Sequence, residues 1–161
     1  MKNKIREIYE NTMVGLLWCL CYLIAILPRC VRYGALTPFV AFILRSVVHY
    51  RRYVIFKQLH DSFPEKSDVE INEIGRRYYR HLAEMIIETL SLAGMNEKRR
   101  REITEFDLPE EFHEQIEGRN FIAMSSHYGF WETALNIYLA TPNHYFVVAY
   151  RPLSNRIMDK L

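Results

Sequence analysis

Hydrophobic residues concentrate in two stretches near the N-terminus. Residues 13–27 contain no charged side chain, and a second apolar stretch follows at residues 33–44 with Pro38 inside it. As a helix the first stretch is about 22 Å long, shorter than the roughly 30 Å hydrocarbon core of a bilayer. The pattern predicts two helices in a membrane interface, the second of them broken at Pro38. The basic residues that flank the stretches are Lys2, Lys4, Arg6, Arg29, Arg32 and Arg45.

Two other interpretations of these stretches stay open. A basic start followed by an apolar run is typical of a secretory signal peptide, although no small-residue cleavage site follows Leu27. The two helices can also form a buried pair in a soluble protein. Basic residues at both ends favour membrane association over these alternatives.

The middle of the chain combines a cationic segment with a long amphipathic helix. Residues 45–57 interleave cations with apolar residues, a pattern that suits either an anionic membrane surface or an ordinary solvated helix. Ser67 and Glu70 form a capping-box pattern that predicts a helix start, and Gly94 is its predicted C-terminal cap. The predicted core stripe of this helix is Ile71, Ile74, Tyr78, Leu82, Met85, Ile86 and Leu90.

The densest basic cluster lies at residues 96–101. It predicts either a solvated loop or a docking patch for an acidic carrier protein or a lipid phosphate. Residues 103–107 alternate like a short strand, and residues 109–117 fit a short surface helix that Gly118 ends.

Two apolar segments in the last third predict buried strands. They are residues 120–125 and 144–150, and an amphipathic helix is predicted between them at residues 130–139. Strand, helix and strand in this order form a parallel βαβ unit, whose strand ends meet at one edge of the sheet. The pattern therefore predicts an α/β fold. We expect a helical membrane-associated anchor at residues 1–57 and the α/β domain at residues 58–161.

Composition narrows the classes of function. The chain has 161 residues, of which 50% are hydrophobic and 25% charged, enough for one core. Its net charge of +2 is too small for nucleic-acid binding through bulk charge. Cys19, Cys21 and Cys30 lack metal-site spacing and are predicted to be reduced packing residues. We expect no nucleic-acid partner, no metal and no cofactor.

Candidate chemistry lies where the first predicted strand meets its helix. His127 follows the strand, and Glu132 lies five positions later. The carboxylate can reach back to the imidazole, fix its tautomer and raise the basicity of its other nitrogen. Such a histidine can take a proton from a hydroxyl that attacks an acyl carbonyl directly. Zinc at His127 is disfavoured because the sequence has no H-E-x-x-H motif.

Arg151 and Asn155 follow the second predicted strand. Because the ends of parallel strands meet at one edge, both side chains can reach the cleft predicted for His127. An arginine suits a phosphate or carboxylate on a substrate. The alternative for Arg151 is a salt bridge that closes a helix N-terminus.

Four motifs together resemble one protein family. They are SSHYGFWE at residues 125–132, AYRPLSN at residues 149–155, YRR at residues 50–52 and SFPE at residues 62–65. In combination they resemble the bacterial lipid A biosynthesis (lauroyl/myristoyl) acyltransferases, a branch of the wider glycerolphosphate acyltransferase group. The resemblance runs from about Met13 to the last residue. Glutamate at position 132 favours the lipid A branch, since the wider group usually carries aspartate there.

The resemblance implies transfer of a fatty acyl group from acyl carrier protein to a hydroxyl of a lipid A precursor, at the cytoplasmic face of the inner membrane. His127 is then the base, Glu132 its partner, and Arg151 and Asn155 bind substrate. For the fold, the resemblance implies the first half of a glycerolphosphate-acyltransferase-like α/β sandwich, truncated because family members are longer. Half a sheet leaves strands uncovered, so exposed apolar surface is expected.

Two other functions stay open from the sequence. The chain can be a non-catalytic, truncated membrane-associated module, or an acyltransferase with a phospholipid or aminolipid acceptor. Acyl transfer by the intact chain distinguishes an enzyme from the module, and lipid profiling distinguishes the acceptors.

Overall fold

Helices make up most of the chain. The computed structural model describes residues 2–124, 126, 129–149 and 151–160. Two π-helical segments, Arg32–Leu36 and Ile43–Val47, flank α3, and a 3₁₀ helix covers Trp131–Leu139. The α-helices are α1 (Lys2–Ile26), α2 (Arg29–Val31), α3 (Thr37–Phe42), α4 (Arg52–Ser62), α5 (Asp68–Gly94), α6 (Glu97–Ile103), α7 (Phe112–Ile116) and α8 (Arg156–Lys160).

The chain forms two compact units. The first unit comprises residues 1–22 and 92–161, and the second comprises residues 23–91. Residues 120–124 and 143–149, which carry much of the predicted sheet, lie in the first unit and are outside helices.

Two helical stretches have the length and apolar composition of membrane-crossing helices. They are Lys4–Ile26 and Arg29–Val47. In an apolar 18-residue window of each stretch only 22% and 11% of the residues are buried within the protein, whereas the core helix of a soluble protein is mostly buried. This exposure favours membrane association over a buried helix pair. The observed α1 is longer than the apolar run because it includes the charged residues at its start.

The helix break predicted at Pro38 is wrong, since Arg29–Val47 is one helical stretch that includes π-helical turns. Pro38 is the second residue of α3 and has no backbone N–H to donate to the preceding turn. The preceding segment, Arg32–Leu36, is wound as a π-helix, and the Thr37 hydroxyl donates to the Arg32 carbonyl at 2.9 Å. The second apolar stretch therefore continues through the proline.

Helix α5 begins where the capping box predicts. The backbone N–H and the hydroxyl of Ser67 donate to the Glu70 carboxylate at 2.9 and 2.8 Å. These bonds favour the ionised form and lower the pKa of Glu70. The predicted start of this helix is confirmed.

The buried stripe of α5 differs from the predicted one. Of the predicted residues only Ile71 is fully buried, and Tyr78 is 41% exposed. The observed stripe repeats every fourth residue and consists of Ile71, Gly75, Tyr79, Ala83, Ile87 and Ser91. Small residues in it allow close approach: a Cβ at Gly75 would lie 2.7 Å from Phe56 Cζ. The Tyr79 hydroxyl also donates to the Tyr50 carbonyl at 2.9 Å.

In the first unit, α8 is tied to α1 through one buried carboxylate. Glu10 is 5% exposed and accepts hydrogen bonds from Arg6 and Lys160, each at 3.0 Å. The Arg156 guanidinium lies 3.8 Å from the same carboxylate. Because a buried carboxylate is costly without cations around it, this cluster fixes α8 on α1.

The basic cluster at residues 96–101 belongs to helix α6, so the predicted loop is wrong. The Asn96 side chain caps the helix by accepting from the Arg99 N–H at 3.0 Å. Arg101 bonds both Glu97 on its own helix and the Leu139 carbonyl, at 2.7 and 3.1 Å. Arg100 donates to the Met95 carbonyl at 3.2 Å. Two of the cluster's cations therefore hold local structure.

The predicted α/β sandwich is wrong. Residues 2–124, 126, 129–149 and 151–160 contain no strand. The segments predicted as strands at residues 120–125 and 144–150 have no regular secondary structure over their described parts, and neither do residues 104–107. An extended segment becomes a strand only when a neighbour completes a ladder of hydrogen bonds. The described residues form no such ladder.

Candidate active site

An open cleft of about 1040 Å³ lies in the first unit and is lined by both segments that were predicted as strands. Its other walls come from residues 113–119, from Trp131, Ala134 and Leu135, and from residues 141–143. The Phe121 ring makes edge-to-face contacts with the rings of His144 and Phe146, with centroids 5.4 and 5.9 Å apart. These contacts hold the two predicted strand segments side by side without a sheet.

Side chains of the two segments differ in exposure. Phe121 and Phe146 turn towards each other, whereas Ile122, Tyr145 and Val147 are between 90% and 101% exposed. The expected exposed apolar surface is therefore present here.

His127 lies outside the described residues, as do its neighbours Ser125 and Tyr128. The segment that follows is described, and Gly129 has φ +61°, in the left-handed region that glycine adopts most readily. A left-handed turn thus lies between His127 in the sequence and the 3₁₀ helix that carries Glu132.

Glu132 is the second residue of that 3₁₀ helix. Its Oε2 atom is buried and has no hydrogen-bond partner within the described part of the chain. Leaving a buried polar atom without a hydrogen-bond partner costs roughly 1–3 kcal/mol of desolvation free energy. A hydrogen-bond donor placed at Glu132 Oε2 would therefore stabilise the protein.

The helix predicted at residues 130–139 is present over Trp131–Leu139, and it is a 3₁₀ helix. It is nevertheless fixed at both ends: the Thr133 hydroxyl donates to the Phe130 carbonyl at 2.9 Å, and the Thr141 hydroxyl to the Ile137 carbonyl at 3.0 Å. Asn136 is fully buried and donates to the Thr104 hydroxyl at 2.9 Å. These bonds anchor the helix in the first unit.

Arg151 and Asn155 are both exposed. The Asn155 side-chain oxygen accepts from the backbone N–H groups of Ile157 and Met158 at 3.0 and 3.2 Å, so it caps α8. No ion pair includes Arg151 among the side chains that are described. Arg151 therefore does not form the alternative salt bridge with any described side chain.

The three predicted site residues that the structure describes do not line the cleft. Its described lining includes neither Glu132, Arg151 nor Asn155. It does include Trp131 and His144, which the sequence analysis did not single out as site residues. His144 Nε2 lies 3.0 Å from the Ile116 carbonyl, which fixes the ring on the cleft wall. The apolar run at residues 144–150 is the sequence signal that could have drawn attention to this face.

The described residues were compared with the side-chain clusters that bind metal ions. Across residues 2–124, 126, 129–149 and 151–160, no three His, Cys, Asp or Glu side chains cluster as metal ligands do. The cysteines Cys19, Cys21 and Cys30 carry free thiols.

Comparison with known proteins gives one positive result. A family model described as bacterial lipid A biosynthesis acyltransferase matches residues 3–161. Searches of curated proteins and of solved structures found no match. The matched range covers nearly all of the chain.

Proposed function

This chain belongs to the bacterial lipid A biosynthesis acyltransferase family, and from that premise we propose that it moves a fatty acyl group from acyl carrier protein to a hydroxyl of a lipid A precursor. Membership makes it an acyltransferase of lipid A, and hence lipopolysaccharide, synthesis. The donor, the acceptor hydroxyl, the catalytic pair and the place at the cytoplasmic face of the inner membrane are the proposal.

One observation carries the catalytic assignment. Glu132 Oε2 is buried without a partner in the described chain, and Glu132 lies five residues after His127. This oxygen can accept a hydrogen bond from a protonated ring nitrogen of His127. The bond would set the imidazole tautomer and stabilise the imidazolium that forms during reaction.

The proposed step balances without a protein nucleophile. The unprotonated His127 nitrogen takes the proton of the acceptor hydroxyl while the oxygen attacks the thioester carbonyl carbon. The tetrahedral intermediate collapses, the carbon–sulfur bond breaks, and the carrier thiolate takes the proton back from His127. The products are an ester and a free thiol, and the base returns to its starting state. Arg151 and Asn155 are proposed to bind substrate, with the arginine directed at a phosphate.

The direct test is acyl transfer by the purified full chain in detergent. We expect labelled acyl groups to move from acyl carrier protein to a lipid A precursor, and not to phosphatidylethanolamine or phosphatidylglycerol. Transfer only to phospholipid would replace the acceptor in this proposal. No transfer to any acceptor would favour the non-catalytic membrane module.

Helix α6 is proposed to receive the acidic carrier protein. Arg100 and Arg101 bond local carbonyls, whereas Lys98 and Arg99 make no ion pair or side-chain hydrogen bond with other described residues. Lys98 is exposed and Arg99 half-buried. Two cations without such structural bonds on a surface helix suit an acidic protein partner, mainly through faster association.

Removing these two charges should weaken use of the carrier-bound donor. For Lys98→Gln with Arg99→Gln we expect KM for acyl carrier protein to rise roughly threefold to tenfold at low salt, with kcat unchanged, because rim charges act chiefly on association. Salt should erase the difference. The control is Arg52→Gln with Lys57→Gln, which removes the same charge from α4 and should leave this KM unchanged. Equal effects of the two variants would contradict docking at α6.

A further inference from the structure

Helix α4 in the second unit has a packed face and a free face. Ile55 is 6% exposed, and Phe56 packs against Gly75 of α5. On the opposite side Tyr53 is 79% exposed. Arg52, Lys57 and His60 are exposed beside it. The free face therefore combines a large aromatic ring with groups that carry or can carry positive charge.

A shallow depression of about 580 Å³ lies on this helix, lined by Arg52, Tyr53, Phe56, Lys57 and His60. The Arg52 guanidinium is 5.6 Å from the Phe56 ring centroid, a cation–π contact that orients it. Rings below and cations at the rim suit a ligand with an anionic head and an apolar body.

The acidic neighbours of this face offset only part of its charge. Lys57 pairs with Asp61 at 2.6 Å, and His60 lies 3.8 Å from Asp68. Arg52 makes no ion pair with a described carboxylate. Both acidic side chains are themselves exposed, so the pairs are weak and can yield to a phosphate.

The cationic face continues directly from exposed apolar surface. Phe42, Val47 and Val48 are between 58% and 59% exposed in the segment that precedes α4.

We propose that the free face of α4 docks on an anionic phospholipid bilayer, with Arg52 and Lys57 contacting headgroup phosphates and Tyr53 lying at headgroup depth. The occupant follows from charge complementarity, because cations interleaved with aromatic and aliphatic side chains match an anionic headgroup layer over acyl chains. Tyrosine favours that depth, since its ring is apolar and its hydroxyl is wet. This inference rests on the membrane association in the proposed function and adds which surface meets the lipid and which lipid charge it selects.

The test is flotation of the full chain with two kinds of vesicle. Vesicles of phosphatidylcholine alone report insertion of the apolar helices, and vesicles that also contain phosphatidylglycerol report charge selection. For Arg52→Gln with Lys57→Gln we expect the preference for phosphatidylglycerol vesicles to fall about 30-fold, since each cation near an anionic surface contributes about fivefold. Binding to phosphatidylcholine should not change.

The matched control is Lys98→Gln with Arg99→Gln, which removes the same charge from α6 and should keep the preference. Equal loss in both variants, or no loss in the α4 variant, would overturn the inference. Tyr53→Trp gives an independent readout: its added fluorescence should be quenched by brominated phosphatidylglycerol, and an unquenched signal would place α4 off the bilayer. Acyl transfer in neutral detergent should be unchanged in the α4 variant, so failure of catalysis and failure of docking are distinguishable.

Discussion

Replacing His127 by alanine should lower the rate of acyl transfer by roughly 10²- to 10⁴-fold, the usual contribution of a positioned general base. Without the imidazole, the acceptor hydroxyl has no group to take its proton as it attacks the thioester. The measurement is single-turnover ester formation from acyl carrier protein in detergent, with far-UV circular dichroism to show that helix content is kept. Retention of more than about a tenth of the parent rate would be incompatible with this role.

Two variants sharpen this test. Glu132→Gln keeps the shape of the side chain but removes the negative charge that makes the imidazole more basic. We therefore expect a smaller loss of rate, and the acidic limb of the pH–rate profile should move to lower pH because the base now loses its proton more easily. His81→Ala is the matched histidine control, since His81 is exposed on α5, and it should behave like the parent. If the pH–rate profile of Glu132→Gln did not shift, the proposed interaction of Glu132 with the catalytic base would be contradicted.

Gly94→Ala should destabilise the protein by about 1–3 kcal/mol, the range for overpacking a close contact. Gly94 is the last residue of α5, and a Cβ there would overlap the backbone carbonyl of Cys21 on α1 within the first unit. A backbone carbonyl cannot rotate away as a side chain can, so one helix must shift. Denaturant unfolding in detergent micelles, followed by circular dichroism, measures the change.

The control for this substitution is Gly15→Ala on α1. No atom lies within 4 Å of a Cβ at Gly15, and the residue is helical. Alanine should therefore stabilise the helix by up to about 1 kcal/mol, because glycine loses more backbone entropy on folding. If both alanines had the same effect, the close approach at Gly94 would not limit stability.

At Gly94 the sequence pattern predicts the correct end of α5, but the physical reason for the glycine differs from the predicted one. The sequence predicts a C-terminal cap, and α5 does end there. Among the described glycines, however, only Gly118 and Gly129 have positive φ, so Gly94 does not form a left-handed cap. What the position requires is the absence of a side chain against α1, which local sequence cannot reveal.

The α5 stripe illustrates the same limit. Helix start and length follow from local hydrogen bonding at Ser67 and Glu70, so the sequence predicts them well. The packed face of α5 does not follow from local hydrogen bonding, because it depends on which other helices pack against α5. Gly75, Ala83 and Ser91 are weakly hydrophobic and yet buried, and at Gly75 the missing side chain lets Phe56 of α4 approach closely.

The family and the basic amphipathic and capping patterns were determined by the sequence alone, because they depend on residue types at short spacing. The match over residues 3–161 confirms the family that the four motifs indicate. Only the tertiary structure decided whether the apolar segments at residues 120–124 and 144–149 pair, since a strand exists through a partner's hydrogen bonds and not through its own pattern. It also decided that the cleft takes His144 and Trp131 into its wall while Glu132, Arg151 and Asn155 are not in its described lining, because long-range packing and not chain order sets which side chains meet.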